Sequence, residues 1–169
     1  KGGTLWFIGA NSSAEARSKD AMYIFIDEYS EMARELKAQG SHIKTYKGRM
    51  ASYGDRAKMF VFSTPVEMEN DKTYPEFLQG SQEYYYVPCP FCLFKQVIKW
   101  ENLIIVEKNV ASSIRLKCIN PDCNKYIEEK HKPWMFDEAN GAEWISHNPV
   151  RRNMDCLSWH LPSMYSPLG

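Results

Sequence analysis

Met22-Tyr23-Ile24-Phe25-Ile26-Asp27-Glu28 is the stretch on which the fold turns. Five apolar residues run without a break into two adjacent acids. A short unbroken apolar run reads as a strand buried in a parallel sheet. Two similar runs flank it: Thr4-Leu5-Trp6-Phe7-Ile8-Gly9 upstream and Lys58-Met59-Phe60-Val61-Phe62 downstream. Helical stretches fall between them. Asn11-Ser12-Ser13 supplies N-cap residues for a short helix through about Arg17. Glu31 to Gln39 reads as a helix stopped by Gly40, and His42 to Tyr53 as another. Continuous apolar strands alternating with helices predict an α/β fold, with a mainly parallel sheet covered on both faces by flanking helices.

The acids at the end of the quoted run carry a chemical meaning. Ligands of parallel sheets bind outside the carboxyl ends of the strands. In nucleotide hydrolases an aspartate there holds Mg²⁺, and an adjacent glutamate polarises the attacking water. Asp27 and Glu28 are candidates for those roles, and a solvated acidic turn is the plain alternative. Ser63-Thr64-Pro65 ends the next apolar run. In helicase-like motors a small hydroxyl motif at that place relays the state of the nucleotide. An ordinary turn would use the same residues. No Gly-x-x-x-x-Gly-Lys-Ser/Thr sequence occurs in the chain. Without that phosphate loop, these 169 residues are not expected to hydrolyse ATP alone.

Composition narrows the class. With 44% hydrophobic and 25% charged residues the chain is an ordinary globular sequence. A formal net charge of zero gives no global case for nucleic-acid or membrane binding. No apolar run approaches the ~20 residues of a spanning helix, so no membrane partner is expected. The chain opens on Lys1-Gly2-Gly3 and closes on Pro167-Leu168-Gly169, which reads as a piece of a longer protein.

After Gly80 the character changes. Gln82 to Val87 is strand-like and rich in tyrosine. Two cysteine knuckles follow, Cys89-Pro90-Phe91-Cys92 and Cys118-Ile119-Asn120-Pro121-Asp122-Cys123, with 25 residues between them. Gln96 to Trp100 and Ser113 to Lys117 read as short strands beside them. Such spacing lets four thiolates close a tetrahedron on one zinc ion. With no open position, that zinc would be structural. His131, His147 and His160 are lesser candidates as ligands. The fifth cysteine, Cys156, reads as a small buried residue. From Glu128 onward, tryptophans, prolines and turns dominate.

Several segments together resemble the large terminase subunit of lambda-like tailed phages, the GpA type. They are Gly2-Gly3-Thr4-Leu5, Gly9-Ala10-Asn11-Ser12, Arg17-Ser18-Lys19, Ile26-Asp27-Glu28 and Phe62-Ser63-Thr64-Pro65. The order continues with Tyr85-Tyr86-Val87-Pro88-Cys89-Pro90-Phe91-Cys92, Trp100-Glu101-Asn102-Leu103, Gly141-Ala142-Glu143-Trp144-Ile145 and Met164-Tyr165-Ser166-Pro167. That family is a DNA-packaging motor with an N-terminal ATPase and a C-terminal nuclease. The resemblance implies a partial P-loop-type sheet over residues 1–80, a zinc-ribbon-like β unit over 81–130, and an extension towards the nuclease over 131–169. It implies that the phosphate loop lies before Lys1.

By the same resemblance Asp27 is the Walker B magnesium residue, Glu28 the catalytic glutamate and Ser63-Thr64 the coupling motif. Asp27 and Arg17 would meet the nucleotide, Arg17 alternatively a neighbouring subunit or only solvent. The implied cofactors are structural zinc and Mg-ATP. The implied partners are double-stranded viral DNA, the small terminase subunit, the portal protein and further copies of the chain, in the bacterial host cytoplasm. Two departures stand out. The second knuckle is longer than the usual two-residue spacing, and no glycine follows the first. Lys44, Lys47, Arg49, Arg56 and Lys58, opposed only by Asp55, form a basic stretch that reads either as a DNA contact or as a solvated face. Tyr84-Tyr85-Tyr86 reads either as a base-stacking run or as strand packing. A helicase-like motor and a non-catalytic zinc-ribbon module are the competing readings.

Overall fold

The quoted run becomes strand β1, Tyr23–Ile26, and the downstream run becomes β2, Lys58–Val61. They pair in parallel, Tyr23 opposite Lys58 and Ile26 opposite Val61. The structure, a computed structural model, describes residues 2–10, 12–33, 41–67, 69–108, 110 and 113–166. It is a mixed α/β protein with several small sheets and few helices. The chain divides into two units, Lys1–Pro75 and Glu76–Gly169.

In the first unit, strand alternation sorts the side chains onto two faces. Ile24, Ile26, Met59 and Val61 meet Ile43 and Tyr46 of helix α2, His42–Met50, with Tyr29 and Met32 completing a small core. Fully burying Ile26 and Ile43 contributes roughly 2 kcal/mol each. Ser41 caps α2, its side chain accepting the Lys44 N–H. A 3-10 segment, Ala51–Arg56, carries the chain on to β2. The opposite face stays open. Phe25 is 64% exposed and stacks on Phe60 at 4.9 Å, and Phe60 stacks on Phe62 at 6.5 Å. Among the described residues the pair is therefore covered on one face, not on both as the apolar runs predict. Hydrophobicity does not distinguish burial under a helix from rings that shield one another.

The expected strand from Thr4 to Gly9 does not form. Residues 2–9 have no regular structure, and Phe7 is 92% exposed. A strand needs a ladder partner, and propensity alone does not provide one. Helix α1, Ser13–Ser18, forms where expected. Of the helix expected from Glu31 to Gln39, residues 34–39 lie outside the described residues, and Glu31 itself ends a 3-10 turn, Tyr29–Glu31. Helix α3 spans Thr73–Gln79.

The second unit is built on β3, Glu83–Pro88. It pairs with β4, Lys95–Gln96, and antiparallel with β8, Glu143–Ser146, while β9, Trp159–His160, lies parallel to its start. A second sheet joins β5, Leu103–Ile105, to β6, Ile114–Lys117, and to β7, Tyr126–Ile127. Short helices α4, Lys132–Met135, and α5, Pro149–Arg152, complete the unit. Val87, Cys89, Ile98, Leu116, Cys118, Ile127, Met135 and Tyr165 share its core. The Tyr165 hydroxyl donates to the Tyr85 carbonyl at 2.6 Å and accepts the Ile98 N–H at 2.8 Å. Burial pushes that phenol up to about 12.

The tyrosine run divides by alternation. Tyr85 packs inward on Trp144 and Tyr165 and donates to the Phe136 carbonyl at 2.9 Å. Tyr84 and Tyr86 lie on the other face, where Tyr84 meets His147 at 4.7 Å. Strand packing accounts for the run. Glu83, buried, accepts two bonds from Arg152 Nη1, at 2.8 and 2.9 Å. Gly80 is a close approach: a Cβ there would stand 2.4 Å from the Ser158 Oγ.

Candidate functional site

Two constellations stand out, one in each unit. The first is the carboxyl tip of the β1–β2 pair. Asp27 and Glu28 leave β1 exposed to solvent. The Glu28 N–H donates to Asp27 Oδ1 at 3.0 Å. Glu28 is left-handed, φ 49°, ψ 47°, a conformation that costs a non-glycine residue roughly 1 kcal/mol and recurs at functional sites. The Tyr29 N–H then donates to the Phe62 carbonyl at 3.1 Å, holding the end of β1 beside the end of β2.

That pairing brings Ser63 and Thr64 to the acids. Thr64 Oγ1 donates to Glu28 Oε2 at 3.3 Å. Ser63 Oγ accepts the Ser30 N–H at 2.9 Å and donates to the Thr64 carbonyl at 3.0 Å. Beside them opens a cleft of about 470 Å³ lined by Ala10, Asp27, Glu28, Glu31, Met32 and Ala33. Ala10 is held by α2, its carbonyl 3.2 Å from Nε2 of the buried His42. Burial pushes the His42 imidazole below its ordinary 6.5, against the raising pull of the Ala10 carbonyl. Arg17 lies on α1, and its side chain is outside the described atoms. Lys44, Lys47, Arg56 and Lys58 are exposed, and Arg49 is half-buried.

The second constellation is the four thiols. Cys89, Cys92, Cys118 and Cys123 are free, with Sγ atoms all within 4.8 Å of one another. Cys89–Cys123 and Cys92–Cys118 are 3.9 and 3.8 Å apart. That is far beyond a disulfide bond of about 2.05 Å. It matches the edge of a tetrahedron with zinc–sulfur bonds of about 2.3 Å, which is roughly 3.8 Å. The donor set and its size fit one tetrahedral metal ion.

The knuckles explain this convergence. Each is the turn of an antiparallel hairpin, β3–β4 or β6–β7. In the first, the Cys89 N–H donates to the Phe94 carbonyl and the Leu93 N–H to the Cys89 carbonyl, both at 2.9 Å. In the second, the Cys118 N–H donates to the Lys125 carbonyl at 3.0 Å and the Asn124 N–H to the Asn120 carbonyl at 3.1 Å. The residue after each second cysteine is left-handed, Leu93 at φ 61° and Asn124 at φ 48°. So Leu93 stands where a glycine would be unstrained. The longer second knuckle is closed by Asn120, whose Oδ1 accepts the Asp122 N–H at 3.1 Å. The two extra residues are absorbed in an Asx turn.

Burial acts on the thiols unequally. It raises the pKa of Cys89, and pushes Cys118 up to about 12. Cys92 is lowered to about 7, chiefly by the Phe94 N–H. Two residues that sequence reading passed over bind the knuckles together. Asn120 Nδ2 donates to the Cys92 sulfur at 3.7 Å, and Gln96 Oε1 accepts the Ile119 N–H at 2.9 Å. Nothing in the sequence marks them beyond their nearness to the cysteines. Cys156 is exposed, contrary to the expectation of a buried residue, and its thiol lies 3.8 Å from the Gln79 carbonyl. The buried group at that place is the close Gly80–Ser158 contact. His131 Nδ1 accepts the Glu128 N–H at 3.0 Å, and none of the three histidines joins the thiol cluster.

These features define a mixed α/β protein with an acidic strand tip in one unit and four convergent thiols in the other. The family model of the phage terminase large subunit gpA, ATPase domain, matches residues 1–144, and the chain belongs to that family. Neither a curated protein nor a solved structure gives a match. Among the described residues no helix is long and apolar enough to cross a membrane.

Proposed function

We propose that this chain works in the ATP-hydrolysing motor of a phage terminase, with its chemistry at Asp27 and Glu28. One observation carries the reading: an aspartate–glutamate pair stands at the carboxyl tip of a parallel strand, joined by Thr64 to the tip of the neighbouring strand. Asp27 would hold the magnesium ion of Mg-ATP and Glu28 would orient the attacking water. Bound magnesium supplies charge neutralisation on the phosphates. Ser63 and Thr64 connect the acids to the rest of the unit, as a coupling motif requires. Arg17 is assigned to the nucleotide or to a neighbouring copy.

In this reading residues 1–80 belong to the ATPase proper, 81–130 to a zinc-ribbon-like brace and 131–169 to an extension towards a nuclease. Zinc held by Cys89, Cys92, Cys118 and Cys123 is structural, because four thiolates leave no position for water or substrate. The partners are double-stranded viral DNA, the small terminase subunit, the portal protein and further copies of the chain, in the host cytoplasm. The basic stretch from Lys44 to Lys58 offers phosphate contacts to that DNA.

Steady-state ATP hydrolysis by the full-length protein, with and without double-stranded DNA, tests the proposal. DNA-stimulated turnover without strand separation is expected. Strand separation would favour the helicase-like reading. Nucleic-acid binding with no turnover would leave only the zinc-ribbon module.

A further inference from the structure

The coupling motif does not end at Thr64. Ser30, buried behind the acidic pair, joins it to a second segment. Its N–H donates to Ser63 Oγ at 2.9 Å, and its own hydroxyl donates to Asp71 Oδ1 at 2.7 Å. The Ser30 and Thr73 hydroxyls are 2.6 Å apart. A carboxylate only accepts, so the Ser30 proton points to Asp71 and the Thr73 hydroxyl donates to Ser30. The same Asp71 oxygen accepts the Thr73 N–H at 2.8 Å, which satisfies an amide at the start of α3. The residue between, Lys72, reaches the other side of the same turn. Its Nζ donates to the Met32 carbonyl and, at 3.3 Å, to the Ala33 carbonyl, and it lies 5.0 Å above the Tyr29 ring.

Three consecutive residues, Asp71, Lys72 and Thr73, thus grip the turn that follows Asp27 and Glu28. Met32 and Ala33 line the cleft beside the acids. Hydrogen bonds link Glu28 to the start of α3 by one route, through Thr64, Ser63, Ser30 and Asp71. They link the cleft-lining Met32 and Ala33 to it by another, through Lys72. Every hydroxyl on the first route both donates and accepts, except that of Thr64, whose carbonyl takes the Ser63 proton instead. Movement of one member therefore disturbs the hydrogen bonds of its neighbours.

We infer that Ser30 and Asp71 are positioning residues that carry the state of the nucleotide site onward to α3. The inference rests on the proposed role of Asp27 and Glu28, and extends it to residues outside the reacting centre. The test uses the full-length protein with Ser30→Ala and, independently, Asp71→Ala. The readout is amide hydrogen exchange in residues 73–79 with and without Mg-ATPγS, beside ATP turnover and DNA packaging. In the wild type, nucleotide is expected to slow exchange at the start of α3. In both variants that response disappears, basal turnover stays within about two-fold, and packaging falls roughly ten-fold or more. A nucleotide response in α3 that persists in both variants overturns the inference. So does an equal fall of basal turnover and packaging, since a merely structural residue lowers the two together. If Ser30→Ala does not fold, the half-exposed Asp71 variant decides alone. Failure of the parent reading is separate: it appears as Mg-ATP turnover that Glu28→Gln leaves intact.

Discussion

In Lys1–Pro75 the acidic tip stands on a two-stranded ladder whose far face is a row of open aromatic rings. In Glu76–Gly169 the four thiols sit among two sheets and a buried core that includes two of the cysteines themselves. The first unit keeps its acidic pair exposed and its core small. The second holds its thiols half-buried or buried, and its knuckle bonds repeat almost bond for bond. The difference teaches which kind of group each unit can use. Exposed carboxylates can exchange ligands during a reaction cycle. Four convergent thiols at tetrahedral spacing suit one ion and leave no position for a substrate.

The comparison breaks most readily at the thiols. On the proposed zinc site, about one ion per chain is expected in the wild type, and Cys118→Ser should abolish it and melt β5–β7, because structural zinc binding is worth on the order of 10 kcal/mol of folding free energy. Metal analysis together with amide exchange would read it. Undiminished protection in β5–β7 would mean that the core, not the metal, holds the second unit. Next in size is Arg152→Ala, which leaves the buried Glu83 carboxylate without its partner. Because Arg152 is itself half-exposed, about 2–3 kcal/mol of lost stability is expected by denaturant titration. Tyr165→Phe should cost about 1–2 kcal/mol by orphaning the Tyr85 carbonyl and the Ile98 N–H. A neutral result would place those groups in solvent.

The smallest effect belongs to the first unit and depends on pH. His42 is depressed in the folded chain, so the unfolded chain binds more protons between the lowered value and about 6.5. Stability in that window therefore rises with pH and is lost on acidification. Exchange protection of β1 and β2 should weaken below about pH 6.5 in the wild type, and weaken less in His42→Gln. A flat wild-type profile would show that His42 is not held neutral.

The two units were also unequally legible. The thiol cluster was readable because ligand spacing is a local property: Cys89 to Cys92 and Cys118 to Cys123 each lie within one turn. The β1–β2 pair was readable because both strands are short apolar runs stopped by polar residues. What escaped depended on partners distant in sequence. Thr4–Gly9 has the composition of a strand and pairs with no other strand among the described residues. β8, within a stretch that shows only tryptophans and turns, is fixed by pairing with the tyrosines of β3. Ser30 lies 33 residues from Ser63 and 41 from Asp71, so no local pattern marks it. Asn120 and Gln96 are ordinary residues until the two knuckles meet.

The most direct test concerns Glu28 itself. In full-length, metal-loaded protein, Glu28→Gln should lower DNA-stimulated ATP turnover by roughly 100-fold or more. Its side chain is exposed, so stability should change by no more than about 0.5 kcal/mol. Turnover equal to wild type in a folded Glu28→Gln protein would contradict the assignment of the chemistry to the tip of β1.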